Sequence, residues 1–286
     1  MPELPEVEIV KRSLKNTIEF RKIKKVIVNN RNLRFKIHKN FNKEIENKII
    51  TNIRRYAKYI IIELDFLSYM TIHLGMSGTI HLVKNATSDN TNLSFYHSKN
   101  LPNKHNHVIL NFGSFNIIYN DPRRFGYFKL HDSKKSLDKF IKQNGLEPLD
   151  RNFNYKYLSI KIQNREKNIK NILLDQKIIS GIGNIYASEI LFYSKINPLK
   201  KGKNLKSKSI LNLTKYARIV LRNAIKKGGS SIRDFKNIQS DLGRYQNEFK
   251  VYDRQNKKCL NKKCKSFIKK MIISNRSTYY CQKCQK

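Results

Sequence analysis

The sequence predicts an α+β protein in which three kinds of pattern follow one another. After one amphipathic helix, residues 20–132 contain short apolar runs of period two separated by turn residues. Residues 133–250 are mainly helical in periodicity, and all four cysteines lie after residue 258. We therefore expect an N-terminal antiparallel β-sandwich with an N-terminal helix over 1–132, a helical domain over 133–250, and a cysteine-rich hairpin over 251–286.

The first eight residues place two prolines and three carboxylates at the chain terminus. Pro5 followed by Glu6 is typical of a helix start, and the apolar positions beyond it predict a helix to about Asn16. That helix does not account for Pro2 and Glu3, which precede it.

Pro2 becomes a free secondary amine if the initiator methionine is removed, as is usual before a small residue. An α-amino group titrates near about 8, against about 10.4 for a lysine side chain, so more of it is nucleophilic at neutral pH. Such amines attack sugar or carbonyl carbons and form Schiff bases. Glu3 lies beside the amine as a proton donor and acceptor.

The charge of the chain predicts a polyanionic partner. Lys and Arg number 59 against 21 Asp and Glu, a formal charge of +38 over 286 residues. Lys, Asn and Ile are abundant, as in AT-rich genomes, but drift towards Lys does not by itself remove acidic residues. The basic residues are spread along the whole chain, which favours nucleic acid over a membrane surface.

The sequence contains neither a signal-peptide pattern nor a run of about 18 apolar residues. We therefore expect a cytoplasmic protein, in which four cysteines are more typical of a metal site than of disulfides.

Seven segments of the first part are predicted to be strands, and the polar residues 84–103 a loop. The strands are Lys25–Asn29, Ile49–Leu64, Tyr69–Leu74, Thr79–Val83, His107–Phe112, Phe115–Tyr119 and Phe125–Leu130.

Two stretches among these strands suit contact with DNA. Alternation places Lys58 on one strand face with Tyr56, where a simple solvated face is the alternative. Met76 lies between two glycines, which predicts a tight turn with an apolar tip. Such a tip either enters a base stack or folds back onto the core.

Two further stretches have the same character. His105 and His107 share a predicted strand face, and phosphate contact or strand packing is favoured over a metal pair because no carboxylate or cysteine is near in sequence. Arg123 and Phe125 follow a turn proline. Arginine can read a base edge and phenylalanine can stack, whereas a surface hairpin with incidental charge is the alternative.

The helical part contains a turn with Gly181 and Gly183 before a new helix that Asn184 opens. Glycines at this position let backbone N–H groups approach a phosphate, and Asn184 can cap the helix or bind that phosphate. A dinucleotide site is rejected because the glycines do not follow a strand of a βαβ unit. A longer helix is predicted over Lys208–Lys227, ended by Gly228.

The cysteines are spaced C-x4-C, sixteen residues, C-x2-C. Two such pairs around a hairpin suit one tetrahedral zinc ion with four thiolate ligands, and reduced surface cysteines are the alternative. The hairpin, over Ile272–Tyr280, is predicted to have Asn275 and Arg276 at its tip. The four expected ligands are Cys259, Cys264, Cys281 and Cys284.

These motifs, in this order and over nearly the whole chain, resemble the formamidopyrimidine-DNA glycosylase family of DNA repair enzymes. The N-terminal octet is similar to the family's N-terminus, and residues 173–189 are similar to its helix–two-turns–helix motif. The resemblance implies a glycosylase with AP lyase activity that excises 8-oxoguanine and formamidopyrimidines from double-stranded DNA. It also implies a structural zinc ion, and we expect a monomer.

The resemblance implies roles for individual residues. Pro2 attacks C1′ of the flipped nucleotide, Glu3 handles protons at the sugar, Lys58 assists β-elimination, and Arg276 grips the lesion phosphates and assists δ-elimination. The implied DNA contacts are His73, Met76, His105, Arg123, Phe125, Arg165 and Asn184. Of these, Met76, Arg123 and Phe125 fill the gap left by the flipped base, with Arg123 facing the orphaned cytosine.

Two features depart from the family's pattern. The first cysteine pair has four intervening residues where the family has two, and this bears on Cys264 as a ligand. The Gly-rich loop over the flipped base, near Asp241–Tyr245, is shorter and lacks a glycine, which bears on base selectivity more than on catalysis. The alternatives are an endonuclease VIII-like enzyme for oxidised pyrimidines and a catalytically weakened relative that only binds DNA.

Overall fold

A computed structural model describes residues 1–84, 102–230 and 243–286. The chain forms two compact units, and each is continuous in space but not in sequence. The first contains Met1–Ile141 with Lys227–Arg244, and the second contains Lys142–Lys226 with Tyr245–Lys286. Within the described ranges, no helix has the length and apolar character needed to cross a membrane. The loop predicted over 84–103 falls mostly outside those ranges.

The described residues of the first unit form eight strands and a leading helix, α1 (Leu4–Ile18). The strands are β1 (Lys25–Val28), β2 (Ile50–Tyr56), β3 (Tyr59–Leu64), β4 (Ser68–His73), β5 (Thr79–Lys84), β6 (Asn106–Asn111), β7 (Phe115–Asn120) and β8 (Tyr127–His131). Two short helices, α2 (Phe41–Ile45) and α3 (Lys134–Lys142), follow β1 and β8.

The strands form two four-stranded antiparallel sheets, in the orders β2-β3-β4-β8 and β1-β6-β7-β5. Both sheets and α1 contribute side chains to one apolar interior, where Leu14, Ile62, Ile72, Leu110 and Ile117 surround the same small space. Because both inner faces bury β-branched and aliphatic residues, the sheets pack as a sandwich. The predicted antiparallel sandwich with an N-terminal helix is confirmed.

The single strand predicted over Ile49–Leu64 is wrong, because the chain reverses within it. Ala57 and Lys58 form a two-residue turn between β2 and β3, and Ala57 has a φ of 52°. Neither turn residue is a glycine or asparagine, the usual markers of such a turn, so the apolar pattern concealed it. Lys58 consequently lies in a hairpin turn rather than on a strand face with Tyr56.

The second unit is helical and ends in one hairpin. Its helices are α4 (Tyr155–Ile162), α5 (Ile169–Leu174), α6 (Asn184–Tyr193) and α7 (Ser207–Lys226), and the hairpin strands are β9 (Ile268–Ile273) and β10 (Arg276–Cys281). The predicted long helix is therefore confirmed as α7, which buries a stripe that includes Leu213, Ala217 and Leu221. Gly228 follows with a φ of 77°, in the left-handed region that glycine adopts at helix ends.

The turn of the C-terminal hairpin is Ser274-Asn275, with φ values of 48° and 59°. Two positive φ values define a type I′ turn, whose twist matches that of a hairpin. Arg276 is the first residue of β10, opposite Ile273, so the predicted tip was displaced by one residue.

Glu189, fully buried in α6, fixes the segment that leads to the hairpin. Its carboxylate accepts hydrogen bonds from the backbone N–H groups of Lys250, Val251 and Tyr252, at 2.9, 2.9 and 2.8 Å. Burial raises the pKa of Glu189, while the three backbone hydrogen bonds act in the opposite direction. The carboxylate thus replaces the water that these three amides would otherwise require.

We expect Glu189→Gln to destabilise the protein by roughly 2–4 kcal/mol, because the amide substitutes a donor for one acceptor oxygen and leaves buried N–H groups unpaired. Urea unfolding measures the change. The matched control is Glu166→Gln, since Glu166 is exposed and pairs with Lys201 and Lys203, and it should cause no measurable loss. Equal effects of the two variants would contradict the anchoring role of Glu189.

Candidate nucleic-acid interface and metal centre

The N-terminus is held by a carboxylate of the first helical turn. Glu3 is the residue before α1, is 2% exposed, and donates its backbone N–H to Glu6 Oε2 at 2.9 Å. Glu6 Oε1 accepts from the backbone N–H and the hydroxyl of Ser230, at 2.9 and 3.0 Å. Pro2, itself buried, is consequently attached to a fixed helix end and not to a fraying terminus.

The turn that carries Lys58 is tied to the same helix. Arg55 Nε lies 2.9 Å from Glu8 Oε2, and Arg55 Nη1 donates to the carbonyl oxygen of Ala57 at 3.0 Å. Burial opposes ionisation of Glu8, but bonds from Lys11 and the charge of Arg55 outweigh it and lower its pKa. An ionised Glu8 therefore fixes, through Arg55, the backbone next to the buried Lys58.

His73 lies at the end of β4, where its ring stacks on Tyr127 with 5.5 Å between centroids. Its Nδ1 accepts the backbone N–H of Gly75 at 3.0 Å, so the proton of the neutral ring is on Nε2. Burial, and then the positive charges of Lys58 and Arg34, lower the pKa of His73 to about 4. At neutral pH the ring is uncharged and presents one N–H donor at Nε2.

The loop that carries Met76 and the loop that carries Arg123 and Phe125, here called the wedge loops, lie against each other. Met76 is 41% exposed and Phe125 42% exposed, so Met76 is not folded back onto the core. The guanidinium of Arg123 lies 4.6 Å from the centroid of the Phe125 ring. A Cβ atom on Gly75, whose φ is 65°, would lie 2.4 Å from the backbone of Phe125 and Gly126, so only glycine permits this approach.

The two histidines near β6 do not share a strand face, contrary to the prediction. His105 ends a 3₁₀ turn, Asn103–His105, and its carbonyl oxygen accepts the N–H of Asp121 at 3.0 Å. His107 is buried in β6, and its Nε2 lies 2.8 Å from the carbonyl oxygen of Asp121. The 3₁₀ turn breaks the alternation on which the prediction depended.

In the second unit, Asn184 and the hairpin that carries Arg276 are joined. Gly183, not Asn184, is the capping residue of α6, so the capping alternative is wrong. Asn184 Nδ2 donates to the carbonyl oxygen of Ser277 at 2.9 Å, and Lys170 Nζ donates to the same oxygen at 3.1 Å. Arg276, the preceding residue, is exposed at the start of a strand that two side chains hold.

Arg165 lies between α4 and α5 and is half-buried. Its Nε donates to the carbonyl oxygen of Lys161 at 2.7 Å, which secures the end of α4.

The four cysteines form one cluster, with all Sγ atoms within 4.8 Å of one another. Cys259 and Cys284 are 3.8 Å apart at sulfur, and Cys264 and Cys281 are 3.6 Å apart. A tetrahedral ion with metal–sulfur bonds of about 2.3 Å needs sulfur atoms about 3.8 Å apart, so the cluster fits four thiolate ligands. Among the described residues no other group of three or more potential metal ligands comes together.

Asn261, which lies between the first two cysteines, forms hydrogen bonds to both cysteine pairs. Its carbonyl oxygen accepts the N–H of Cys264 at 2.8 Å, and its side-chain Nδ2 donates to Cys284 Sγ at 3.3 Å. The additional residues thus bring an N–H donor to a sulfur atom, as outer hydrogen bonds do at metal sites.

Three supporting residues were missed by the sequence analysis. In the sequence, Glu6 is typical of an acidic residue in the first turn of a helix. Lys170 is typical of a solvent-exposed lysine on a helix, and Asp121 is typical of a turn residue before proline. Lys170 and Asp121 are in fact fully buried, and the apolar residues around Lys170 were its one available signal. Of the Gly-rich loop predicted near Asp241–Tyr245, residues 241 and 242 lie outside the described part of the chain.

Two family models match the sequence. The Formamidopyrimidine-DNA glycosylase N-terminal domain matches residues 1–128, and the Formamidopyrimidine-DNA glycosylase H2TH domain matches residues 145–236. The formamidopyrimidine-DNA glycosylase of Dinoroseobacter shibae is 38% identical over 289 residues, and that of Wolbachia pipientis wMel is 40% identical over 286 residues. Both alignments cover 100% of each chain.

Solved structures show the same fold. A mutant of Lactococcus lactis Fpg in complex with Fapy-dG containing DNA matches with a TM-score of 0.88 and 33% identity, over 100% of each chain. The complex of Lactococcus lactis Fpg with abasic site containing DNA matches with a TM-score of 0.86 and 33% identity, over 99% of each chain. The fold therefore agrees with that of solved proteins over nearly the whole chain.

We expect the protein to lose stability as the pH falls from 6.5 towards 4, and His73→Gln to reduce that loss. The folded pKa of His73, about 4, lies below the ordinary 6.5, so the unfolded chain binds the extra proton in this window and stability rises with pH across it. The contribution is on the order of 1–3 kcal/mol.

Urea unfolding across this pH range measures the slope. Burial also lowers the pKa of His131 to about 4, so a residual slope should remain in the single variant and decrease further in the variant that also carries His131→Gln. A His73→Gln slope equal to that of the native protein would contradict the prediction.

Proposed function

The chain belongs to the formamidopyrimidine-DNA glycosylase family, and we propose that it is a bifunctional DNA glycosylase and AP lyase of base excision repair. Its substrates are oxidised purines, 8-oxoguanine and formamidopyrimidines, in double-stranded DNA, and it acts as a monomer in the cytoplasm. The observation that carries the proposal is the fixed position of Pro2 before a helix cap, with the turn of Lys58 tied to the same helix.

The nucleophile is the secondary amine of Pro2 after removal of Met1. The positive end of the α1 dipole disfavours an ammonium at this position and so favours the neutral, nucleophilic amine. The amine attacks C1′ of the flipped nucleotide, the damaged base departs with a proton, and a Schiff base forms as the sugar ring opens. Glu3, 2% exposed beside the amine, transfers protons at the sugar oxygen.

Strand cleavage then follows from the Schiff base. β-Elimination removes a proton from C2′ and breaks the C3′–O bond to the phosphate, and δ-elimination removes a proton from C4′ and breaks the C5′–O bond, so the strand is cut on both sides. Lys58 stabilises the phosphate that leaves first, and the charge interaction between Lys58 and His73 supports their placement at one site. His73 remains neutral and donates from Nε2 to a phosphate oxygen.

The wedge loops support base extrusion. An empty position in a base stack costs a few kcal/mol, and an apolar side chain that fills it offsets that cost. Met76 and Phe125 are exposed, and Arg123 lies over the Phe125 ring, so these side chains are available to fill the gap and to face the orphaned cytosine. His105 adds a contact to the DNA backbone.

The second unit supplies further phosphate contacts. Arg276 grips the phosphates of the lesion, and the bonds from Asn184 and Lys170 to the next residue hold it in place. Asn184 at the start of α6 and Arg165 before α5 contact the phosphate backbone as well. In this account the sandwich over 1–132 performs catalysis, the helical region over 133–250 binds DNA, and residues 251–286 present Arg276.

One zinc ion holds the C-terminal hairpin. Cys259, Cys264, Cys281 and Cys284 fit a tetrahedral set, and four protein ligands leave no position for a reacting water. The ion supplies folding free energy to the hairpin when bound, and Asn261 donates to one of the thiolates.

We expect borohydride to trap the mature protein covalently on a duplex with 8-oxoguanine opposite cytosine, and Pro2→Gly to abolish most of that trapping, since glycine supplies a less nucleophilic primary amine. Denaturing gels measure the trapped complex and the cut strand. The same substitution at Pro102, an exposed proline of the first unit, is the matched control and should leave trapping intact.

Trapping only on a thymine glycol duplex would move the protein to the oxidised-pyrimidine enzymes. Binding without trapping on either duplex would identify a relative that binds DNA but does not cut it, and would contradict the catalytic roles given to Pro2, Glu3 and Lys58.

We expect Cys264→Ala to lower zinc affinity steeply, because it removes one of four ligands, and Asn261→Ala to lower it by about 10–100-fold through loss of the outer hydrogen bond. Competition with a chromogenic chelator measures both. Native zinc affinity in Cys264→Ala would show that the longer first pair does not supply the fourth ligand.

A further inference from the structure

Asp121, between β7 and the Arg123–Phe125 loop, is fully buried and joins the two wedge loops. Its Oδ1 accepts the hydroxyl of Ser77, the residue after Met76, and the N–H of Arg123 at 3.3 Å. Its Oδ2 accepts the hydroxyl of Tyr119 at 3.0 Å and the N–H of Gly126 at 2.9 Å. One carboxylate therefore takes one donor from the Met76 loop and two from the other loop.

The four donors require a carboxylate. An ionised carboxyl group has about four acceptor sites and no donor, whereas an asparagine has one acceptor oxygen and an NH2 group that would oppose two N–H or O–H donors. The main chain of Asp121 is also occupied, by His105 on its N–H and by His107 on its oxygen. Both the side chain and the main chain of Asp121 are therefore held by neighbouring residues. Asp121 cannot move with one loop while the other loop stays in place.

Close packing prevents the loops from moving independently. The Tyr119 hydroxyl lies between two glycines: a Cβ on Gly78 would be 2.4 Å from it, and one on Gly126 would be 1.8 Å from it. Ser77 Oγ, which donates to Asp121, also accepts the N–H of Arg123 at 3.3 Å. The Tyr119 hydroxyl, the two glycines and the Asp121 carboxylate therefore pack together between the two loops.

We propose that Asp121 is a positioning residue that makes the Met76 loop and the Arg123–Phe125 loop act as a single wedge. Gap filling and inspection of the opposite base are then coupled, because Met76 cannot enter the stack without bringing Arg123 to the orphaned base. The inference rests on the proposed function and adds to it a residue that sets opposite-base specificity without touching DNA.

The test measures binding to duplexes in which a tetrahydrofuran abasic analogue lies opposite cytosine or opposite adenine. Asp121→Asn should weaken binding opposite cytosine more than opposite adenine and so lower the ratio of the two affinities by about tenfold, the worth of one well-placed base contact. Ser77→Ala, which removes the direct link between the loops but leaves three donors on Asp121, should lower the ratio in the same direction. A partly unfolded variant would lose both affinities equally, so the ratio separates positioning from stability.

Asp65→Asn is the matched control, since Asp65 lies in the turn before β4, at the opposite end of that strand from His73, and should leave the ratio unchanged. As a second readout, cleavage of a preformed abasic site in single-stranded DNA, where no base is extruded, should be retained in Asp121→Asn. A native preference for cytosine that persists in both loop variants overturns this inference alone. A native protein that binds neither duplex better than undamaged DNA overturns the proposed function and this inference with it.

Discussion

The carboxylate of Glu6 holds the N-terminal helix in place, and every catalytic step proposed for Pro2 depends on that position. One oxygen receives the N–H of Glu3 and the other receives two donors of Ser230, all at about hydrogen-bond length. A chain terminus ordinarily frays, because few contacts offset its conformational entropy. In the proposed function the Pro2 amine acts as a nucleophile, and its position is fixed because the backbone N–H of Glu3 is bound by the buried carboxylate of Glu6.

A similar arrangement recurs beside Lys58, in the Arg123 loop and beside Arg276. Arg55, itself paired with Glu8, bonds the backbone beside Lys58. Asp121 bonds the backbone of the Arg123 loop, and Lys170 bonds the backbone beside Arg276. In each case a buried charged group bonds to main-chain atoms next to the functional side chain. Backbone anchoring of this kind positions a side chain without consuming its own donors, which a catalytic or phosphate-binding group must keep.

The sequence predicted what depends on local pattern and missed what depends on the partner of a buried charge. The period-two pattern predicted the sandwich, and helical periodicity predicted α7. The spacing of the cysteines predicted the cluster that contains Cys264. The β2–β3 turn was missed because Ala57 adopts a positive φ that glycine or asparagine would have signalled. The roles of Asp121 and Lys170 were missed because a polar residue buried through long-range hydrogen bonds leaves no periodic trace in the sequence. The roles given to individual site residues remain predictions that the experiments above address.

Several acidic residues of this strongly basic chain are buried, and three of them bind backbone groups. At least five of its 21 carboxylates are buried, namely Glu3, Glu6, Glu8, Asp121 and Glu189. Glu6, Asp121 and Glu189 each accept backbone N–H groups, so replacing any of them by lysine would leave buried donors unpaired and add an unpaired charge. A lysine is accommodated more readily at an exposed position, where its positive charge strengthens attraction to a polyanion. Three of the buried acids are therefore constrained by the backbone N–H groups that they satisfy, whereas an exposed acid such as Glu166, which pairs with lysine side chains, carries no such constraint.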